Sequence, residues 1–89
     1  MHANIAHTNI DMTLIDEAVG GIDAVKQRLM SLRGFKGAYW LEPVDGHGMM
    51  VSLWEDEEAA RESAPPAGFS PAPGVTVERV ETRAVIGQA

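Results

Sequence analysis

The side chains best suited to chemistry lie in one stretch of the sequence, residues 34–64, which holds four of the five aromatic residues. The hydroxyl of Tyr39 could position or deprotonate a phenolic substrate, Ser52 adds a second hydroxyl, and Trp54 offers a flat apolar wall. No residue is assigned a catalytic role, because no general base stands beside Tyr39 in the sequence. We predict that Tyr39, Ser52 and Trp54 line a pocket for a small ligand.

The histidines and carboxylates do not form a recognisable metal motif. His2 and His7 differ in parity along a strand, so they point to opposite faces. His47 lies in a Pro-Val-Asp-Gly-His-Gly segment that predicts a turn, where a histidine is usually solvated. The acidic residues 55–58 are typical of the first turn of a helix. With no cysteine in the chain, we expect no metal site.

Size and charge bound the classes of function. The 89 residues predict a single domain, 1–89, whose core would be thin in a monomer. A net charge of −6 argues against nucleic-acid or anionic-membrane partners, which require basic surfaces. The sequence lacks a signal-peptide pattern and an apolar run of membrane-spanning length. We therefore expect a cytoplasmic protein without nucleic-acid or membrane partners.

Hydrophobic periodicity predicts alternating strands and helices. Thr13 is expected to cap the first helix, and Gly34 suits the left-handed position after its end. Gly20 and Gly21 predict a kink, a later helix start, or close packing of another element. The predicted strands are 3–10, 35–42, 49–54 and 75–86; the helices are 13–33 and 56–64; and 65–74 is a proline-rich loop.

This order, β-α-β-β-α-β, predicts a ferredoxin-like α+β fold, a four-stranded antiparallel sheet with two helices on one face. The second and third strands carry large apolar residues on both faces, yet the helices cover only one. An apolar open face favours a homodimer with the sheets packed together. Because Tyr39 and Trp40 point in opposite directions, we place Trp40 at or near that interface.

Several residues in 34–64 resemble a known family. The Gly34-Phe35-Lys36-Gly37 start and the Trp-x-Asp-x-Glu-Ala run at 54–59 resemble the antibiotic-biosynthesis-monooxygenase group of dimeric α/β barrels. The resemblance implies a dimeric α/β barrel, with a pocket between sheet and helices in each subunit. It also implies a possible activity, oxidation of an aromatic or polycyclic molecule without metal or flavin. The alternative is a non-catalytic module of the same fold that binds a small ligand or only dimerises.

The same superfamily includes haem-degrading oxygenases, whose pattern can be compared with this chain. They use an asparagine on the first strand, to which Asn4 or Asn9 corresponds, and a tryptophan at the end of the third, to which Trp54 corresponds. They also use a histidine on the second helix, and 56–64 contains none. We therefore expect no haem and no other cofactor.

Overall fold

A computed structural model describes residues 1–89 of the chain. A 3₁₀ turn, Met12–Leu14, precedes the first helix. The strands are β1 (His2–Ile10), β2 (Phe35–Val44), β3 (His47–Trp54) and β4 (Val75–Ala84), and the helices are α1 (Ile15–Gly20), α2 (Ile22–Met30) and α3 (Glu57–Ser63). None of these helices is long and apolar enough to cross a membrane.

The four strands form one antiparallel sheet in the order β2-β3-β1-β4. This arrangement confirms the ferredoxin-like prediction, with the first predicted helix divided into α1 and α2. The charged strand β4 lies at an edge of the sheet, where its charges remain solvated. The loop 65–74 has no strand or helix, but Gly68 and Phe69 form backbone hydrogen bonds with Val77 of β4, and an isolated bridge joins Ala72 to Val75.

The predicted helix 13–33 is interrupted at Gly21. A β-carbon there would lie 2.7 Å from Cβ of Ala72, so the glycine allows the loop 65–74 to approach the helix junction closely. Of the three alternatives, the close packing occurs, and the later helix start is wrong because α1 already begins at Ile15. The predicted cap was wrong, because the Asp11 carboxylate accepts the backbone N–H of Thr13 and the Thr13 hydroxyl proton.

The hairpin between β2 and β3 is tighter than the sequence suggested. β2 continues through Pro43, and the turn consists of Asp45 and Gly46, with φ of 51° and 77°. Positive φ at both positions is the pattern of a two-residue type I′ turn. His47 is therefore the first residue of β3, so its assignment to the turn was wrong, although its side chain is exposed as expected.

A β-bulge decides which face of the sheet each aromatic residue occupies. The register of β2 against β3 shifts between Phe35 and Gly37, so the alternation of side chains restarts after Lys36. Phe35 packs against the core beneath the helices, as does Trp40. Tyr39 lies on the opposite, open face and is 64% exposed. The placement of Trp40 at an open-face interface is corrected by this geometry.

The tightest packing lies between α3 and the sheet. Trp54 is 1% exposed, beneath Ala59 and Ala60 at 1% and 0%. Phe35 meets the Trp54 ring edge to face, with ring centroids 5.4 Å apart, an arrangement that aromatic quadrupoles favour. The small side chains of the two alanines allow α3 to pack closely in one buried cluster with Trp54 and Leu29. The chain reaches this cluster through Gly34, whose φ is +79°.

We predict that Gly34→Ala destabilises the fold. The left-handed conformation costs an alanine about 1–2 kcal/mol, and its β-carbon would lie 2.8 Å from Cβ of Ala59. Urea unfolding should show a loss of at least that size. Gly20→Ala is the control, because Gly20 ends α1 with no atom within 4 Å of an added β-carbon. Equal stability of the Gly34 and Gly20 variants would contradict the prediction.

Candidate functional site

The most prominent site is an apolar cavity between the sheet and the helices. It has a volume of about 750 Å³, and 21 of its 32 lining residues are hydrophobic. Ligand pockets typically occupy about 300–1,000 Å³. Small residues form part of its floor, among them Ala6, Thr8 and Gly48. Because these side chains are short, the sheet cannot fill the space beneath α1 and α2.

The roof comes from the helix pair and the loop 65–74. Val25 on α2 faces the cavity together with Phe69 and Ala72 of the loop. Arg28 lies at the rim, with its guanidinium carbon 5.6 Å from the centroid of the Phe69 ring, which is cation–π distance. Arg28 and Glu42 are the only charged residues in the lining. The interior is therefore suited to an uncharged, apolar molecule.

Ser52 and Trp54 lie together on the cavity wall. The indole Nε1–H of Trp54 donates to Oγ of Ser52 at 2.8 Å, and both residues are buried. A buried indole N–H normally has such a partner. The bond fixes the ring plane, so Trp54 presents a fixed aromatic surface. Trp54 therefore both packs beneath α3 and lines the cavity.

Asn4 of β1 is a further buried polar group on the wall. Its amide nitrogen donates to the Ala60 carbonyl at 2.7 Å, and its amide oxygen accepts from the Thr82 hydroxyl at 2.8 Å. An asparagine amide carries two N–H donors, so one remains for another partner. Asn9 has the opposite parity and is exposed; only Asn4 faces the cavity.

The structure separates the three residues predicted to share a pocket. Ser52 and Trp54 share the cavity, while Tyr39 lies on the other face of the sheet. Ligand binding by Ser52 and Trp54 stays a prediction, whereas Tyr39 cannot reach the same ligand within one subunit. Trp40 and Asn4, which were not among the three, do line the cavity. Trp40 shares a face with Ser52 and Trp54 because of the β-bulge after Phe35. Counting alternate residues along the sequence does not reveal that bulge.

The cavity does not fit a haem whose iron is held by the protein. Haem iron is held by histidine, cysteine or tyrosine, with methionine serving as a second ligand beside histidine; methionines line the cavity, but none of the other three residue types does. The α3 residue on its wall is Ser63, whose hydroxyl donates to the Ala59 carbonyl at 2.6 Å. Asn4 and Trp54 line the cavity at the two positions that the resemblance to haem-degrading oxygenases implied, but the histidine of that pattern is missing.

Comparisons with known proteins establish the fold and no more. No protein-family model matches the chain, and no curated protein matches it. Among solved structures, the chain is similar to the heme-degrader MhuD from Mycobacterium tuberculosis, whose structure has two hemes bound in its active site. The TM-score is 0.70 and the identity 19%, over 100% of this chain and 99% of the other.

We predict that Ser52 and Trp54 are energetically coupled. Ser52→Ala leaves a buried indole N–H without a partner, which costs about 1–3 kcal/mol. In a Trp54→Phe background that N–H is gone, so Ser52→Ala should cost much less. A double-mutant cycle by urea unfolding measures the difference. Additive losses would contradict the prediction, because they would show no energetic coupling between Ser52 and Trp54.

Proposed function

We propose that this protein binds an apolar, aromatic small molecule in the cavity between the sheet and the helices. The observation that carries the proposal is the cavity of about 750 Å³ with a largely hydrophobic lining. An unfilled apolar cavity forgoes packing contacts, and its walls give water few hydrogen-bond partners. A bound apolar molecule would make the missing packing contacts and displace the poorly bonded water. The unfilled apolar walls therefore favour binding.

The walls favour a flat ligand with at least one oxygen. The Trp54 indole is held by Ser52 and the Asn4 amide by Ala60 and Thr82, so neither group must be ordered when the ligand arrives. Such preorganisation reduces the entropic cost of binding. The indole face suits an aromatic ring, while the remaining Asn4 N–H suits a carbonyl or hydroxyl oxygen.

A second candidate is oxidation of that aromatic molecule without metal or flavin. Asn4 and Trp54 both lie on the cavity wall at the two positions that the resemblance to oxygenases singled out. The similar heme-degrader also acts on a flat macrocycle. In this chain the wall offers no histidine, so a substrate anion would have to form through the acidity of the substrate itself. The protein would then supply orientation and exclusion of water.

We also propose that the functional unit is a homodimer joined through the open faces. Tyr39, Val51 and Ile5 are cross-strand neighbours in one row of that face. Burying a large apolar side chain is worth about 1.5–3 kcal/mol. In a symmetric dimer each subunit buries its own copy of these three residues, so the gain is counted for both subunits. This dimer would make the dimeric α/β barrel that the sequence predicted, with Tyr39 rather than Trp40 in the interface.

The ligand proposal predicts saturable binding of N-phenyl-1-naphthylamine, a neutral aromatic probe that fluoresces in apolar sites. One probe should bind per chain. Val25→Trp places a large ring in the cavity and should weaken binding at least tenfold. The matched control is Gln27→Trp, which adds the same ring on the exposed side of α2 and should bind as the unaltered protein does.

Two further measurements complete that test. Hemin should give no sharp, shifted Soret band, because no histidine, cysteine or tyrosine lines the cavity. Native mass spectrometry of the purified protein identifies any ligand it retains, and oxygen consumption with that ligand separates the enzyme from the binding module. Equal probe affinity of the Val25 and Gln27 variants would refute binding in this cavity.

The dimer proposal predicts a dimer at low micromolar concentration by sedimentation equilibrium. Tyr39→Glu adds a charge to the open face and should give a folded monomer. Met30→Glu is the control, since Met30 on α2 is 62% exposed, close to the 64% of Tyr39, and lies away from that face. A monomeric unaltered protein, or equal behaviour of the two variants, would refute this interface.

A further inference from the structure

Arg28 is the one arginine of this chain without a carboxylate partner. In each of the other four, a guanidinium nitrogen lies 2.8–3.4 Å from a carboxylate oxygen: Arg33, Arg61, Arg79 and Arg83. The guanidinium carbon of Arg28 lies over the Phe69 ring instead, 5.6 Å from its centroid. Such a contact uses the charge of the group and commits none of its N–H donors. The donors of Arg28 are therefore available to a ligand.

Arg28 stands where the cavity meets a second, smaller recess. The recess has a volume of about 270 Å³ and 8 lining residues. Five of these also line the cavity: Arg28, Leu32, Ser63, Pro65 and Phe69. Only 3 of the 8 are hydrophobic, against 21 of 32 in the cavity. A molecule that spans both spaces would therefore place an apolar part in the cavity and a polar part beside Arg28.

The acidic residues near this mouth do not neutralise Arg28. Glu62 lines the recess, but its carboxylate lies 3.7 Å from the Arg33 guanidinium and its side chain is 59% exposed. Glu42 lines the cavity from the edge strand β2 and is likewise no partner of Arg28. Solvent screens charges at such exposed positions. The mouth therefore keeps a positive group although the chain carries a net charge of −6.

The position of Arg28 in the last turn of α2 accounts for a cation but not for a guanidinium over a ring. A cation there complements the helix dipole, and lysine would do so equally. A guanidinium differs because its planar fork matches the two oxygens of a carboxylate, and because it stacks on aromatic rings. Contact with Phe69 restricts the side chain before a ligand arrives, which lowers the entropic cost of an ion pair.

We propose that Arg28 binds the carboxylate of the cavity's ligand, so that the ligand is an aromatic carboxylic acid rather than a neutral molecule. This inference rests on the proposed binding of an aromatic molecule in the cavity. The ring would occupy the apolar space beside Trp54, while the carboxylate stays in the recess. There it keeps part of its hydration, so no isolated charge is buried.

The test compares two ligands that differ only at one end, 4-(1-naphthyl)butanoate and the corresponding alcohol. Displacement of bound N-phenyl-1-naphthylamine gives the affinity of each at neutral pH and low ionic strength. We expect the acid to bind roughly fivefold more tightly than the alcohol, which is the upper end of what an exposed ion pair contributes. Added salt should reduce this preference.

Variants of two exposed residues on α2 assign the preference to Arg28. Arg28→Gln should make the two affinities equal, and their ratio isolates the carboxylate because lost packing affects both ligands. Arg28→Lys keeps the charge without the planar fork and should retain only part of the preference. The matched control is Lys26→Gln, which removes the same charge. Since Lys26 lines neither the cavity nor the recess, this variant should keep the full preference.

The outcomes separate this inference from the cavity proposal. If the naphthylamine binds but acid and alcohol have equal affinity, the role of Arg28 is overturned and the cavity proposal stands. A preference that persists in Arg28→Gln, or that is lost in Lys26→Gln as well, would also overturn it. Failure of the naphthylamine and of both naphthyl ligands to bind would refute the cavity proposal and this inference together.

Discussion

The structure depends on one close contact, the approach of α3 to the sheet over Trp54. Ala59 and Ala60 belong to one buried cluster with Trp54, and Asp56 holds the start of the helix by accepting the Ala59 N–H at 2.7 Å. Gly34 permits the turn that brings β2 beside this contact. With α3 fixed, Trp54, Ser52 and Asn4 have set positions. The opposite end of the same sheet face, beneath α1 and α2, is less filled, and that difference in packing creates the cavity.

The architecture could be read from the sequence because its signals were local. The turn residues Asp45 and Gly46, the prolines after α3 and the acidic residues at its start separate elements of clear periodicity. Strand order then followed from the β-α-β-β-α-β sequence of elements. Gly21 was ambiguous because its effect depends on Ala72, a residue distant in sequence, which no local pattern connects to it.

The composition of the site was harder to predict. Alternation in a strand assigns residues to two faces, but it does not say which face packs against the helices and which is open. Tyr39 and Trp40 were correctly placed opposite each other. The bulge after Phe35 then reversed the parity counted from the start of β2. A second bulge places Val77 and Val80 on the cavity lining although their parities differ. His47 was misplaced because Pro43 suggested an earlier end to β2, whereas an edge strand tolerates proline.

The contact between Gly21 and Ala72 has a consequence for the kinetics of exchange. The helix junction and the loop 65–74 form adjoining parts of the cavity roof, and they touch where a β-carbon would not fit. A displacement of either part at this point therefore involves the other. Widening the entrance becomes a collective motion of backbone segments, which is slower than rotation of exposed side chains. The residence time of a guest would then depend on this backbone motion as well as on how strongly the walls bind it.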